Sequence, residues 1–181
     1  MSIPKTKSPL RNVHLVNTRK MKHYYLIITA LLFSLSACSQ GSKQNEPESE
    51  PDYEVSKTEK EWKDQLNDQE YEVLREKGTE RAYSGDLLDI KEEGTYTCAA
   101  CDLDLFVSET KFKSGTGWPS FYSHVGDSNV VEISDRSYGM VRTEVVCGRC
   151  GGHLGHVFED GPKPTGLRYC INSVSLDFKE D

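Results

Sequence analysis

The residues able to do chemistry crowd into one stretch, Cys147 to Leu176, CGRCGGHLGHVFEDGPKPTGLRYCINSVSL. It holds a CxxC pair, an HxxH pair (His153, His156), a Gly/Pro-rich loop and a further cysteine, Cys170, followed two residues later by Asn172. A second CxxC lies upstream at Cys98-Ala-Ala-Cys101. Two residues between thiolates let one tight turn aim both sulfurs at one ion, and two such knuckles complete a tetrahedral zinc site of four cysteines. The 45 residues between the pairs exceed the usual ribbon spacing, so the site would clamp distant parts of the chain, and its binding energy becomes folding energy. Disulfides and a redox CxxC are the competing readings; the first suits an exported protein, and the second is weakened by the lack of a βαβ pattern.

Of six cysteines, the knuckles take four and the leader described below takes Cys38, which leaves Cys170. Arg168 stands two residues before it and on a strand faces the same way; a guanidinium there stabilises the thiolate, the nucleophilic form. Asn172 is on that face too and can donate a hydrogen bond. His153 and His156 supply groups that titrate near neutral pH. The bland alternatives are a buried structural thiol, ordinary histidines, or half of a second metal site with no obvious carboxylate partner.

Stepping outward, the elements that must hold these groups are strands. From Gly94 onward, Thr95–Thr97, Val130–Ile133, Tyr138–Val146, His156–Phe158 and Arg168–Phe178 alternate between Gly, Asp, Ser and Pro punctuation. No intervening segment has a helical pattern that could serve as a crossover, so the body reads as mainly β and antiparallel. Two helices precede it. Thr58 with Glu61 fits a capping box, Asn67 with Glu70 fits a second, and Gly78 ends the second helix; Trp62, Tyr71 and Leu74 read as packing residues.

The chain has 181 residues, enough for one cored domain, expected over 58–181. Its net charge of −7 hides an asymmetry, because residues 1–37 hold six of the 22 Lys/Arg and none of the 29 Asp/Glu, which leaves −13 for the rest. A body that acidic is a poor ligand for nucleic acid. Arg19, Lys20 and Lys22 precede the 14-residue apolar run Tyr24–Ala37, too short to span a bilayer and of signal-peptide size, with Met21 as a plausible working start. The run ends in Leu35-Ser36-Ala37-Cys38, which resembles a bacterial lipobox. That resemblance implies cleavage before Cys38, its lipidation, and a location in the bacterial cell envelope on the periplasmic or surface side. An uncleaved anchor or a plain secretory signal is the alternative. Residues 38–57, acidic and nearly without apolar side chains, then read as a flexible linker.

The long motifs of this chain resemble one family, the B-type peptide-methionine (R)-S-oxide reductases (MsrB). The matching segments are Lys77–Glu80, Gly94–Cys98, Lys111–Phe121 (KFKSGTGWPSF), Cys147–Phe158, and Asp160-Gly-Pro through Arg168-Tyr-Cys-Ile-Asn-Ser173, covering about residues 58–178. The resemblance implies two antiparallel sheets with amino-terminal helices, and reduction of the R epimer of methionine sulfoxide in proteins and peptides, an oxidative-damage repair. By position Cys170 resembles the catalytic cysteine, Trp118 the aromatic wall for the substrate's S-methyl group, and His153, His156 and Asn172 the groups orienting the sulfoxide. Cys98, Cys101, Cys147 and Cys150 match the structural zinc site of metal-containing members. Many members carry a resolving cysteine where this chain has Thr116. The expectation is therefore a monomer whose Cys170 sulfenic acid is reduced directly by an external thiol, from a thioredoxin-like partner or a small molecule. The rival readings are a zinc-ribbon module that binds a partner without catalysis, and a thiol–disulfide oxidoreductase using a CxxC pair.

Overall fold

The computed structural model describes residues 52–181. The leader and the lipidation site at Cys38 lie outside the described residues, and among those described no helix is long and apolar enough to cross a membrane.

Among the described residues two short helices lead, α1 (Glu59–Gln65) and α2 (Asp68–Glu76), and both begin in complete capping boxes, at Thr58 with Glu61 and at Asn67 with Glu70. The left-handed residue closing α2 is Lys77 (φ 58°), with Gly78 N–H returning to Glu72 O at 2.9 Å; the helix thus ends one residue before the glycine expected to end it. Trp62, Leu66 and Leu74 are buried, and Tyr71 packs half-buried against the core.

Nine strands follow in two antiparallel sheets. β1 (Gly94–Cys98), β2 (Asp104–Val107) and β9 (Leu176–Glu180) form a three-stranded sheet in the order β2-β1-β9. β3 (Lys111–Phe112), β4 (Ser120–Phe121), β5 (Val130–Asp135), β6 (Arg142–Cys147), β7 (His153–Phe158) and β8 (Arg168–Ile171) form a six-stranded sheet in the order β3-β4-β8-β7-β6-β5. The core lies between them. Tyr96 and Phe106 from the small sheet meet Phe121 and Tyr169 from the large one, with Phe106 stacked on Phe121 at 4.5 Å and Tyr96 edge-on to it at 4.9 Å. Each such buried ring contributes about 1.5–3 kcal/mol of transfer free energy, and aromatic pairing adds to it.

Two expected strands come out differently. Tyr138–Val141 is not strand: Tyr138 is 91% exposed in a 3₁₀ turn at φ 53°, and Val141 is 80% exposed, so β6 starts at Arg142. The apolar residues there alternate without a surface to cover. The expected strand Arg168–Phe178 is two strands in different sheets. A 3₁₀ turn at Ser173–Ser175 carries the chain from β8 to β9, pinned where Ser175 Oγ donates to Asn172 O at 2.8 Å. β2, β3 and β4, two to four residues each, are too short to show a period.

Candidate active site and metal centre

Cys98 ends β1 and Cys147 ends β6, so one knuckle grows from each sheet. Each turn folds back on its first cysteine: Cys101 and Asp102 N–H both donate to Cys98 O, and Gly151 N–H donates to Cys147 O at 2.8 Å. The four sulfurs lie within 4.8 Å of one another, with Cys98–Cys150 at 3.7 Å and Cys101–Cys147 at 3.5 Å. A tetrahedral zinc with bonds of about 2.3 Å needs sulfurs about 3.8 Å apart, so the set fits zinc. Crowding shows in the thiols themselves. The neighbouring sulfurs, Cys101 first, push Cys98 upward, whereas hydrogen bonds from Cys147 and the others hold Cys101 down. Four thiolates this close need a cation between them. None of the five described cysteines is in a disulfide. The helices brace the knuckles, Gln65 Nε2 donating to Ala100 O and Arg75 Nη1 to Cys150 O. Cysteines fill all four positions, so a zinc held there would be structural, joining the two sheets with the helical layer.

Cys170 sits in the middle of the large sheet. Directly opposite it stand Ser120 on β4 and His156 on β7, and Glu144 on β6 stands opposite His156. Residues directly opposed share a sheet face, so Ser120, Cys170, His156 and Glu144 form one row. β7 approaches β8 so closely that a Cβ at residue 155 would lie 2.1 Å from Cys170 O, which requires Gly155. Hydroxyls continue the row outward: Ser120 Oγ donates to Ser114 Oγ at 2.8 Å, Ser114 pairs with Thr116 at 2.8 Å, and Thr116 Oγ1 lies 3.7 Å from Cys170 Sγ.

On an unbroken strand His153 and His156, three apart, would face opposite ways. A bulge in the pairing of β6 with β7 prevents this: Val145 pairs with Gly155 and Val146 with His153, so Leu154 is unmatched. His153 therefore returns to the face of His156, and the rings meet edge-on at 5.5 Å. Each ring is oriented by a carboxylate the sequence did not suggest. His153 Nδ1 lies 2.8 Å from Glu144 Oε1, and His156 Nε2 lies 3.0 Å from Asp135 Oδ2. A carboxylate accepts, so those nitrogens carry the hydrogens. His153 Nε2 is left buried and without a partner, a polar atom waiting for one. Burial would raise Glu144, but His153 and Lys77, whose Nζ is 2.9 Å away, outweigh it and hold the carboxyl below its ordinary value. Burial pushes His156 down, against the pull of Asp135, so the neutral ring prevails at pH 7.

Arg168 binds Asp160 through two bonds of 2.8 and 2.9 Å and lies over the Phe158 ring at 4.5 Å. It lowers the Cys170 thiol, as does Thr116, but burial is the larger effect and leaves the thiol above its ordinary value. The sequence expectation of a thiolate stabilised by Arg168 is thus right in sign and outweighed in size.

Asn172 is buried, its Nδ2 donating to Leu154 O at 2.9 Å and its Oδ1 accepting from Glu80 N–H at 3.1 Å. One amide hydrogen stays uncommitted. Trp118 is half-buried, its Nε1 donating to Glu80 O at 3.2 Å, and Gly117 beside it has φ +94° and no room for a Cβ against Ala82. Glu80 is therefore the joint of the site. Its backbone holds both Asn172 and Trp118, while its carboxylate accepts from Ser173 and Val174 N–H at 2.7 and 3.0 Å. Sequence reasoning missed Glu80, Glu144 and Asp135. Glu80 lay inside a quoted segment, but nothing local distinguishes an acid that grips a turn 93 residues away.

Comparison with known proteins agrees with this geometry. Residues 66–180 match the SelR domain. The chain is 63% identical over 127 residues to the peptide methionine sulfoxide reductase MsrB of Methanosarcina barkeri, covering 70% of this chain and 89% of the relative. It is 57% identical over 129 residues to MsrB of Leptospira interrogans, covering 71% and 98%. It is 58% identical over 125 residues to MsrB of Pseudomonas putida, covering 69% and 94%.

Proposed function

The chain belongs to the SelR-domain family, and from that premise we propose that it reduces the R epimer of methionine sulfoxide in peptides and proteins, with Cys170 as nucleophile. The observation that carries this reading is the position of Cys170, the one described cysteine outside the metal cluster, between His156 and Ser120 with Thr116 at 3.7 Å. The Cys170 sulfur attacks the sulfoxide sulfur and the S–O bond breaks. Oxygen ends on Cys170 as a sulfenic acid and methionine leaves. Cys170 is oxidised by two electrons and the substrate sulfur reduced by two. The thiol proton ends on the transferred oxygen. A water on His153 Nε2 passes it while the free Asn172 hydrogen donates to the oxygen, and His156, whose N–H is held by Asp135, walls the site beside Cys170. Trp118 offers an apolar face to the S-methyl group and so selects the epimer. Cys98, Cys101, Cys147 and Cys150 would hold a zinc that supplies a structural cross-link and takes no part in the reaction.

Thr116 stands where a resolving cysteine would, and among the described residues no thiol outside the metal set accompanies Cys170. Two external thiols therefore restore the enzyme: the first displaces water to form a mixed disulfide, and the second releases Cys170. Cleavage before Cys38 and its lipidation would tether the domain to the cell envelope; metabolic labelling with a clickable acyl chain, lost in Cys38→Ala, checks this.

The deciding assay offers separated R and S methionine sulfoxide peptides with dithiothreitol, alongside Cys170→Ser. R-specific turnover absent from the variant is expected. No turnover by folded, zinc-loaded protein would overturn the reading.

A further inference from the structure

A groove of about 640 Å³ lies beside the site and is not lined by Cys170, His153, His156 or Asn172. One wall is the segment Tyr83–Glu92, and the other is β3 with the loop leading to Trp118. Its apolar lining is Leu88, Ile90, Phe112 and Trp118, with exposed Lys113 at the rim. The volume suits a ligand of several residues rather than one side chain.

Three observations say what fills it. Trp118 belongs both to the groove and to the cluster around Glu80, so an occupant of the groove is continuous with the substrate's reacting side chain. β3 is the outermost strand of its sheet and no described strand pairs with its outer side; Lys111 N–H turns back to Ser108 O, which leaves a short, partly free edge for an extended backbone. The walls are also preformed. Lys111 Nζ donates to Leu87 O and Ile90 O at 2.6 and 2.9 Å, tying the far wall to β3. Tyr83, 69% exposed at φ 65°, is pinned to the opposite loop by its N–H to Gly117 O at 2.8 Å and its hydroxyl to Gly115 O at 2.6 Å. A large aromatic side chain held rigid in solvent is ordered before binding, which lowers the cost of docking.

We propose that this groove docks, in extended form, the residues flanking the methionine sulfoxide of a substrate polypeptide, with apolar flanking side chains against Leu88, Ile90 and Phe112. The inference rests on reduction at Cys170. It makes unfolded or strand-like segments the preferred substrate, because a residue inside a helix has no free backbone to lay along an edge.

The test compares N-acetyl methionine-R-sulfoxide amide with a nonapeptide carrying the same residue between apolar neighbours, on the full-length zinc protein and on Leu88→Asp and Ile90→Asp. The peptide is expected to have a KM roughly tenfold lower than the single residue, and each variant to erase most of that advantage while the single-residue substrate reports an unaltered reaction centre. Equal KM for both substrates in the unmodified protein would overturn the groove alone; reduction of neither would overturn the reaction it rests on. Independently of how the variants fold, amide shifts of Cys170→Ser titrated with the peptide should move across residues 83–92 and 111–118. Shifts confined to His153, His156 and Asn172 would overturn the proposal.

Discussion

The knuckle at Cys147–Cys150 and the strand holding Cys170 belong to one meander, separated by β7 alone, yet they treat a thiol in opposite ways. At that knuckle and its mate at Cys98–Cys101, small residues and tight turns point two sulfurs each inward, and Gln65 and Arg75 seal the turns from behind. All the chemistry of those sulfurs is spent on holding the sheets together. Cys170 has no sulfur neighbour among the described residues. Its surroundings are hydroxyls, two oriented imidazoles and a guanidinium already committed to Asp160. The difference teaches that the number of thiols within reach, rather than burial, separates cysteines placed to hold a metal from one left free to react, since both kinds lie largely out of solvent.

Substitutions on either side can break that contrast. The largest effect should come from Cys170→Ser, with kcat/KM falling at least about a thousandfold while zinc content and unfolding midpoint stay put. Cys147→Ser should do the reverse of a clean kinetic lesion: one zinc per chain is lost and stability drops by about 5 kcal/mol or more, read by metal analysis and denaturant unfolding. If zinc were lost without a drop in stability, the clamp would be misassigned.

Thr116→Cys would carry a second thiol to the reactive side. Its side-chain oxygen is already 3.7 Å from the Cys170 sulfur, so peptide mapping after one oxidising turnover should find a 116–170 disulfide that the unmodified chain does not form. Glu80→Gln should raise KM roughly tenfold and narrow the R-over-S preference, with kcat little changed, because one of the two N–H groups of Ser173 and Val174, in the turn that follows Asn172, loses its acceptor and the Glu80 backbone that holds Asn172 and Trp118 is less firmly placed.

The smallest effect concerns ionisation. Burial keeps the Cys170 thiol above its ordinary value, so the reactive anion grows with pH and kcat/KM should still be rising above pH 8. Arg168→Gln removes a group that lowers this thiol, so the limb should move to higher pH and cost roughly threefold at pH 7.5. A limb that stayed in place would show Arg168 acting only through Asp160.

Cysteine spacing, capping boxes and the period-2 pattern made the metal set, the two helices and the antiparallel body legible in the linear chain. These are local properties: a knuckle needs only two residues between thiolates, and a capping box only two between the capping side chain and the acid. What remained hidden depends on pairings the chain does not announce. One unmatched residue, Leu154, decides that two histidines three apart share a face. The turn at Ser173–Ser175 divides one apparent strand between two sheets, and Glu80 reaches across 92 residues to Asn172. The sequence by itself determined which groups could react and which could bind metal, because residue type and short-range spacing set that chemistry. Only the tertiary structure decided how they are oriented and how far burial outweighs Arg168 at Cys170, because register and desolvation exist only once the sheets have closed on one another.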